Sequence, residues 1–402
     1  MEEIHSIEAM KLLFFTSKPI YPSVDGGCLA SNKFLACLLR AKIDVQYVTL
    51  STNKHPFDIN QFPSELVERI HPIDYFVNTD VSIFPALKSL FSSNSYNADR
   101  FYLSEIEALI IELVKKESFD GIIFDSLYTL PYLEGIKPIF KGKIGVRTHN
   151  VEFRLWEQYA KDSSWIKKLY LKQLAKDLKR FELKKLKEVD VILSISKDDS
   201  SEFRSLGVKT SIADIPVNME IGTTNTNIVD NRIYHLGMMD WEPNRQAVNL
   251  LVEWMPELRK RNPQLELHIA GSKSQEFIQE DVENGIRVHG FVESVDNFAK
   301  NHGMLVSPIQ AASGVRIKFL EAMAIGVPII TTSVGALGIE YQACNCISIA
   351  ESKEDFMSQI EEFSSNSGKR EEIGQNALNY IDKNHNIDTI SQRIVEIFEG
   401  NS

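Results

Sequence analysis

SGVRIKFLEAMAIGVPIITT occupies residues 313–332. A small-residue turn leads into Arg316, Lys318 and Glu321. An apolar helical stretch then closes on Gly326 and Pro328, ahead of a β-branched run. Helix, tight turn and short apolar strand together are the repeating unit of a parallel sheet whose faces are both covered. The same alternation extends outward in both directions.

KLLFFT, at Lys11–Thr16, reads as a buried strand ending in a polar, Pro-containing loop. The helical spacing of Leu29, Phe34, Leu35, Leu38 and Leu39 follows, and then VQYVTL at residues 45–50 reads as a second strand, completing a βαβ unit. Further strands are predicted at residues 121–125, 143–149 and 190–196, with a long helix over 152–187 and a loop over 92–99. Residues 215–232, rich in Asn, Thr and Gly, read as a boundary. A second alternation then gives strands at 232–237, 265–271, 286–290, 303–308, 328–333 and 347–350, before closing helices at 353–364, 369–384 and 388–399. The expectation is an α/β chain of two doubly wound, Rossmann-like domains facing a central cleft, with ligands at the carboxyl ends of the strands. The domains are expected at 1–216 and 232–385, joined by a linker at 217–231. A last helix, 386–402, is expected to return to the first domain.

The 402 residues, 43% hydrophobic and 25% charged, are those of a globular protein, and the net charge of −11 argues against nucleic-acid partners. No stretch is long and apolar enough to span a bilayer, and the N-terminus has no signal-peptide pattern, so a cytoplasmic location is expected. Cys28, Cys37, Cys344 and Cys346 form no CxxC pair, and they read as reduced thiols rather than zinc ligands.

Arg316 and Lys318 at the start of a helix suit a diphosphate, because unpaired N–H groups there carry partial positive charge. Ser313 and Gly314 let backbone approach a ligand. Glu321, further along, is placed to accept hydrogen bonds from a ribose diol. Spacing alone equally allows an amphipathic helix with surface ion pairs.

The chain resembles the GT-B glycosyltransferases of family 4 (group 1), in their bacterial polysaccharide-biosynthesis subgroup. The resemblance rests on DGG (25–27), RTHNVEFRLWE (147–157), LSISKDD (193–199), HLGMMDWEPN (235–244), VHGFVES (288–294) and the run from 307 to 338 that contains the opening stretch. It implies retaining transfer of a sugar from a nucleotide-diphosphate donor to a hydroxyl of a glycan or lipid-linked acceptor. It places the donor in the second domain and the acceptor in the first, and it calls for no metal or other cofactor. His149, Arg316 and Lys318 are the implied catalytic residues. Gly26, Gly27, Gly237, Gly290, Phe291, Ser313, Gly314, Val315 and Glu321 are the implied donor contacts. Two departures stand out. The wider family carries a glutamate where this chain has Ser313, and Leu337 replaces a glutamate frequent in the subgroup. Relatives also place Arg and Lys just after the glycine matched by Gly237; here Met238 to Trp241 follow, and Arg316 and Lys318 are expected to supply that charge. No nucleophile for a double displacement is evident, which favours front-face attack.

His149 has a structural alternative, Gly26 and Gly27 could form an ordinary turn, Asn150 and Glu152 could merely cap a helix, and Asp198 and Asp199 read as helix capping. The basic stretch from Trp165 to Lys187 either contacts an anionic membrane, at the cytoplasmic face, or packs one face and solvates the other. Rival functions are a non-catalytic nucleotide-sugar-binding subunit and a nucleotide-sugar 2-epimerase on the same fold.

Overall fold

The computed structural model describes residues 9–79, 96–161, 165–222, 231–311 and 314–400. The chain divides into two compact units, one of residues up to Asn218 together with those from Ile387 on, the other Met219–Asn386.

The first unit is built on β1 (Lys11–Thr16), β2 (Asp44–Ser51), β3 (Ile73–Phe76), β4 (Gly121–Asp125), β5 (Lys143–Thr148), β6 (Val191–Ser194) and β7 (Ser211–Asp214). They pair in the order β3-β2-β1-β4-β5-β6-β7, all parallel. The four central residues of β1 are apolar because both of its faces are covered: Leu12 and Phe14 enter one core cluster, Leu13 and Phe15 the other. The second unit holds β8 (Arg232–Leu236), β9 (Glu266–Ala270), β10 (Ile286–Gly290), β11 (Met304–Ser307), β12 (Ile329–Thr331) and β13 (Ser348–Ile349), in the order β10-β9-β8-β11-β12-β13. Both sheets are therefore doubly wound. Their strand order reverses between β1 and β4 and between β8 and β11, which is where such sheets open a crevice at their carboxyl edge.

The last helix, Ile387–Glu399, lies on the first unit. Ile390, Ile394 and Phe398, four residues apart on one face, join the cluster of Leu12 and Phe14. Two strand glycines make room for it: a Cβ at Gly121 would stand 2.6 Å from the Phe398 ring, and one at Gly145 would stand 3.2 Å away.

Several expectations change. β3 and β7 lacked a sequence signal because both are half-buried edge strands without an apolar run. The single long helix is two, Glu152–Lys161 and Trp165–Lys185. Tyr96–Asp99 is a helical turn, not loop. Cys344 and Cys346 are joined by a disulfide, which corrects the all-reduced reading; Asn345 between them takes a left-handed conformation that turns the chain back. Cys28 and Cys37 are buried free thiols.

Phe398→Ala should cost about 3–5 kcal/mol, the usual range for deleting a buried aromatic ring. A urea-unfolding midpoint unchanged by the substitution would show that the final helix is not part of this core.

Candidate functional site

The carboxyl edge of the second sheet gathers most of the residues singled out from sequence. β8 ends at Leu236, and Gly237 begins the turn into the helix Glu242–Arg261. This turn lies directly against the one after β9. Gly271 has φ +127°, and a Cβ there would fall 1.9 Å from the Gly237 carbonyl oxygen. A Cβ at Gly237 would collide with the Asn244 amide at 2.3 Å. That amide folds back over the turn, Nδ2 donating to the Met238 carbonyl at 3.0 Å.

Lys318 enters from the other side of the sheet's reversal point. Its Nζ donates to the Leu236 carbonyl at 2.6 Å and to Asn244 Oδ1 at 3.1 Å. Arg316 is the residue before the helix Ile317–Ala324, so the helix opens three positions later than Gly314. Its Nη2 donates to the Gly314 carbonyl at 2.9 Å, and its guanidinium lies 5.1 Å over the Trp241 ring. Gly314 has φ +65°, the left-handed region that glycine adopts at low cost. Both cations thus reach the turn after Gly237, where the sequence has Met238 to Trp241 in place of basic residues.

The electrostatics follow from that crowding. Burial, and then the charge of Arg316, pull the Lys318 ammonium down to about 7. His235, fully buried one residue before Leu236, is held far below the ordinary imidazole value by burial and by Lys318, and it is neutral. Glu321 lies on the same helix, half-buried. Burial and its charge together raise the Tyr234 phenol. Val315 packs against Gly338, whose φ is +82° and where a Cβ would lie 2.4 Å from a Val315 methyl.

Gly290 and Phe291 stand apart, at the end of β10. The Gly290 N–H donates to Ser274 Oγ at 3.1 Å, and its carbonyl accepts from the Gly271 N–H at 2.7 Å. Its backbone is thus spent inside the fold, while Phe291 is 75% exposed. Ser313 lies outside the described residues.

Gly26, Gly27 and His149 lie in the first unit. The two glycines are the first residues of the helix Gly26–Arg40, capped by Asp25, whose side chain accepts from the Cys28 N–H. Lys18 Nζ grips both Asp25 oxygens, at 2.6 and 2.7 Å. Burial works against Asp25 ionising, but Lys18 overrides it and lowers the carboxyl to about 2. A Cβ at Gly27 would sit 2.9 Å from that ammonium.

His149 follows β5, its Nε2 2.9 Å from Asp125 Oδ1 at the end of β4. Asp125 also accepts from Arg147 Nη1 at 2.9 Å and from the Ser31 hydroxyl. Arg147 is fully buried, with Nη2 on the Ala30 carbonyl at 3.2 Å and its guanidinium 4.8 Å over Phe34. Burial alone would raise the Asp125 carboxyl, but His149, Arg147 and the hydrogen bonds hold it well below the ordinary range. His149 Nε2 also lies 3.0 Å from Arg147 Nη1, so Asp125 and Arg147 together fix the ring.

Sequence reading missed Asp125, Arg147, Lys18 and Asn244. The available signal was a strand, GIIFD, ending in a carboxylate at the ligand edge of the sheet. The helix starting at Glu152 is capped by Glu182, which accepts from the N–H groups of Glu152 and Phe153 at 3.1 and 3.2 Å. The helix of Asp198 and Asp199 is capped by Ser196.

Residues 230–366 match the family model described as glycosyl transferases group 1. Over the whole chain, solved structures share the fold at low identity. Sucrose-phosphate synthase from Thermosynechococcus elongatus gives a TM-score of 0.72 at 13% identity, covering 97% of this chain and 98% of that one. Anabaena Alr3699/HepE, solved in complex with UDP and glucose, gives 0.66 at 14%, covering 97% and 99%. In sequence, an uncharacterized 44.6 kDa protein in the cps region of Klebsiella pneumoniae is 23% identical over 389 residues, 93% of this chain and 96% of that protein. The second unit therefore carries a glycosyl transferases group 1 domain, and the chain as a whole has the GT-B fold.

A lysine that titrates near 7 when folded and near 10.4 when unfolded releases its proton earlier in the folded state. Between those values the unfolded chain holds more protons, so stability rises with pH. Relative to Lys318→Met, the wild type should gain about 1–3 kcal/mol from pH 7 to pH 10, with no change in the difference below pH 7. Parallel urea-unfolding curves at pH 6.5 and 9 check this, and a constant difference would place the ammonium in water.

Proposed function

We propose that the protein is a retaining glycosyltransferase, moving a sugar from a nucleotide-diphosphate donor to a hydroxyl of a glycan or lipid-linked acceptor. One observation carries the reading. Two cations, Lys318 and Arg316, converge on the glycine turn after β8, in the unit that matches the glycosyl transferases group 1 model. A departing diphosphate there meets Lys318, Arg316 and the N–H groups at the start of the helix Ile317–Ala324. Positive groups fixed in advance stabilise leaving-group charge most effectively, because nothing needs to reorganise as the bond breaks.

The bond from the anomeric carbon to the phosphate oxygen breaks while the acceptor oxygen bonds to the same carbon from the same face. The acceptor's proton passes to the leaving phosphate. No metal is assigned to this step. His149, held by Asp125 and Arg147, contacts the donor sugar or its phosphate; Glu321 binds the ribose diol, and Phe291 offers its exposed ring to the base. The uridine nucleotide bound in the Anabaena relative makes UDP-sugars the first donors to try.

The helix Trp165–Lys185 adds a feature suited to a lipid-linked acceptor. Leu171, Leu174 and Leu178 are buried, whereas Trp165 and Leu169 are 73% and 63% exposed beside Lys167, Lys168 and Lys172. Such a face suits an anionic bilayer surface, as at the cytoplasmic side of a membrane.

The test is a thermal-shift screen of purified protein against UDP-, GDP-, ADP- and TDP-sugars, followed by donor hydrolysis. One donor should raise the melting temperature and be slowly hydrolysed, and Lys318→Met should remove both effects. Binding without hydrolysis or transfer to any acceptor would favour a non-catalytic subunit. Co-sedimentation with anionic vesicles, abolished by Trp165→Ser with Leu169→Ser, checks the membrane face; sedimentation that survives both substitutions counts against it.

A further inference from the structure

Three histidines far apart in sequence meet in the second unit. His268 lies on β9, His289 on β10, and His302 directly follows the helix Val295–Asn301. One nitrogen from each lies within 4.8 Å of the other two. We propose that these three imidazoles form a binding site for a divalent transition metal of the zinc class, separate from the residues assigned to the sugar donor.

The hydrogen bonds already select the ligand atoms. His302 Nδ1 donates to the Phe298 carbonyl at 2.6 Å, leaving Nε2 to bind. His268 Nδ1 faces His289 Nε2 at 2.9 Å, the two sharing one proton. His268 Nε2, buried and without a hydrogen-bond partner, lies 3.5 Å from Glu266 Oε2. Metal-bound histidines characteristically direct the second ring nitrogen at a backbone carbonyl or a carboxylate, which fixes the tautomer. Here the Phe298 carbonyl takes that place for His302, and Glu266 stands 3.5 Å from the corresponding nitrogen of His268.

A metal would replace the proton between His268 and His289. Tetrahedral zinc with bonds of about 2.0–2.1 Å sets its nitrogens about 3.3 Å apart, so the pair need open only a few tenths of an ångström. Arg232 and Arg287 lie nearby, but both pair with Glu266, at 3.3 Å each.

A second group, Asp25, Cys28 and His55, brings its ligand atoms within 4.8 Å of one another in the first unit. It is a poor metal site: the Lys18 ammonium holds both Asp25 oxygens, and burial pushes the Cys28 thiol up to about 11.

A bound ion would tie the edge strand β10 to β9 and to the helix end before β11, immediately beside Gly290. The full chain, stripped with a chelator, should show a saturable rise in melting temperature with ZnCl2 and none with MgCl2 or CaCl2. Cobalt(II) should give the visible absorption of a tetrahedral nitrogen site. His289→Ala and His302→Ala should abolish both signals, His55→Ala should leave them intact, and Glu266→Gln should weaken binding roughly tenfold. Absence of a saturable zinc shift, or signals that persist in His289→Ala and His302→Ala, would overturn the site.

Discussion

One ammonium group organises the carboxyl edge of the second sheet. Lys318 Nζ sits against the Leu236 carbonyl at the end of β8, largely withdrawn from water, with Arg316 close enough to oppose its charge. Two cations brought together where water is largely excluded oppose each other's charge, which favours the approach of an anion. The carbonyl of Leu236 and the amide oxygen of Asn244 satisfy part of the ammonium's demand, and in the proposed function a diphosphate supplies the remainder.

The fold makes this arrangement possible. In the second sheet the order β9-β8-β11 leaves the carboxyl end of β8 at the reversal point, where helices depart to opposite faces. Gly271 lets two adjacent turns lie in contact there, since a side chain on it would strike the Gly237 carbonyl, and the bare Gly237 leaves room for the Asn244 amide. The first unit repeats the design with different chemistry. β1 leads to the Lys18–Asp25 pair and the start of the helix at Gly26, while β4 and β5 end at Asp125 and His149.

The alternation of apolar strands and amphipathic helices was legible because buried parallel strands are apolar on both faces, as KLLFFT and PIITT show. β3 and β7 were not, since an edge strand is half-wet and carries no such run. Arg316 and Lys318 stood out because only one residue separates them in sequence, and the structure carries both to the turn after Gly237. The grouping of Asp125 and Arg147 with His149, that of the three histidines, and the place of Asn244 under Lys318 were hidden for the opposite reason. Their partners lie 22 to 74 residues apart in several pairs, and only strand order brings them together. The disulfide of Cys344 and Cys346 was passed over because a spacing of two resembles no metal motif, although Asn345 needs only a left-handed turn to close it.

The most direct measurement is the pH dependence of nucleotide-sugar affinity, taken by calorimetry on the wild type and on Lys318→Arg. A sugar diphosphate diester has no ionisation of its own near neutrality, so any slope belongs to the protein. The wild type should bind most tightly below pH 7 and weaken by up to about tenfold per pH unit above it, with proton uptake on binding, while the arginine variant stays level. Equal, pH-independent affinities in both proteins would contradict the claim that this ammonium receives the diphosphate.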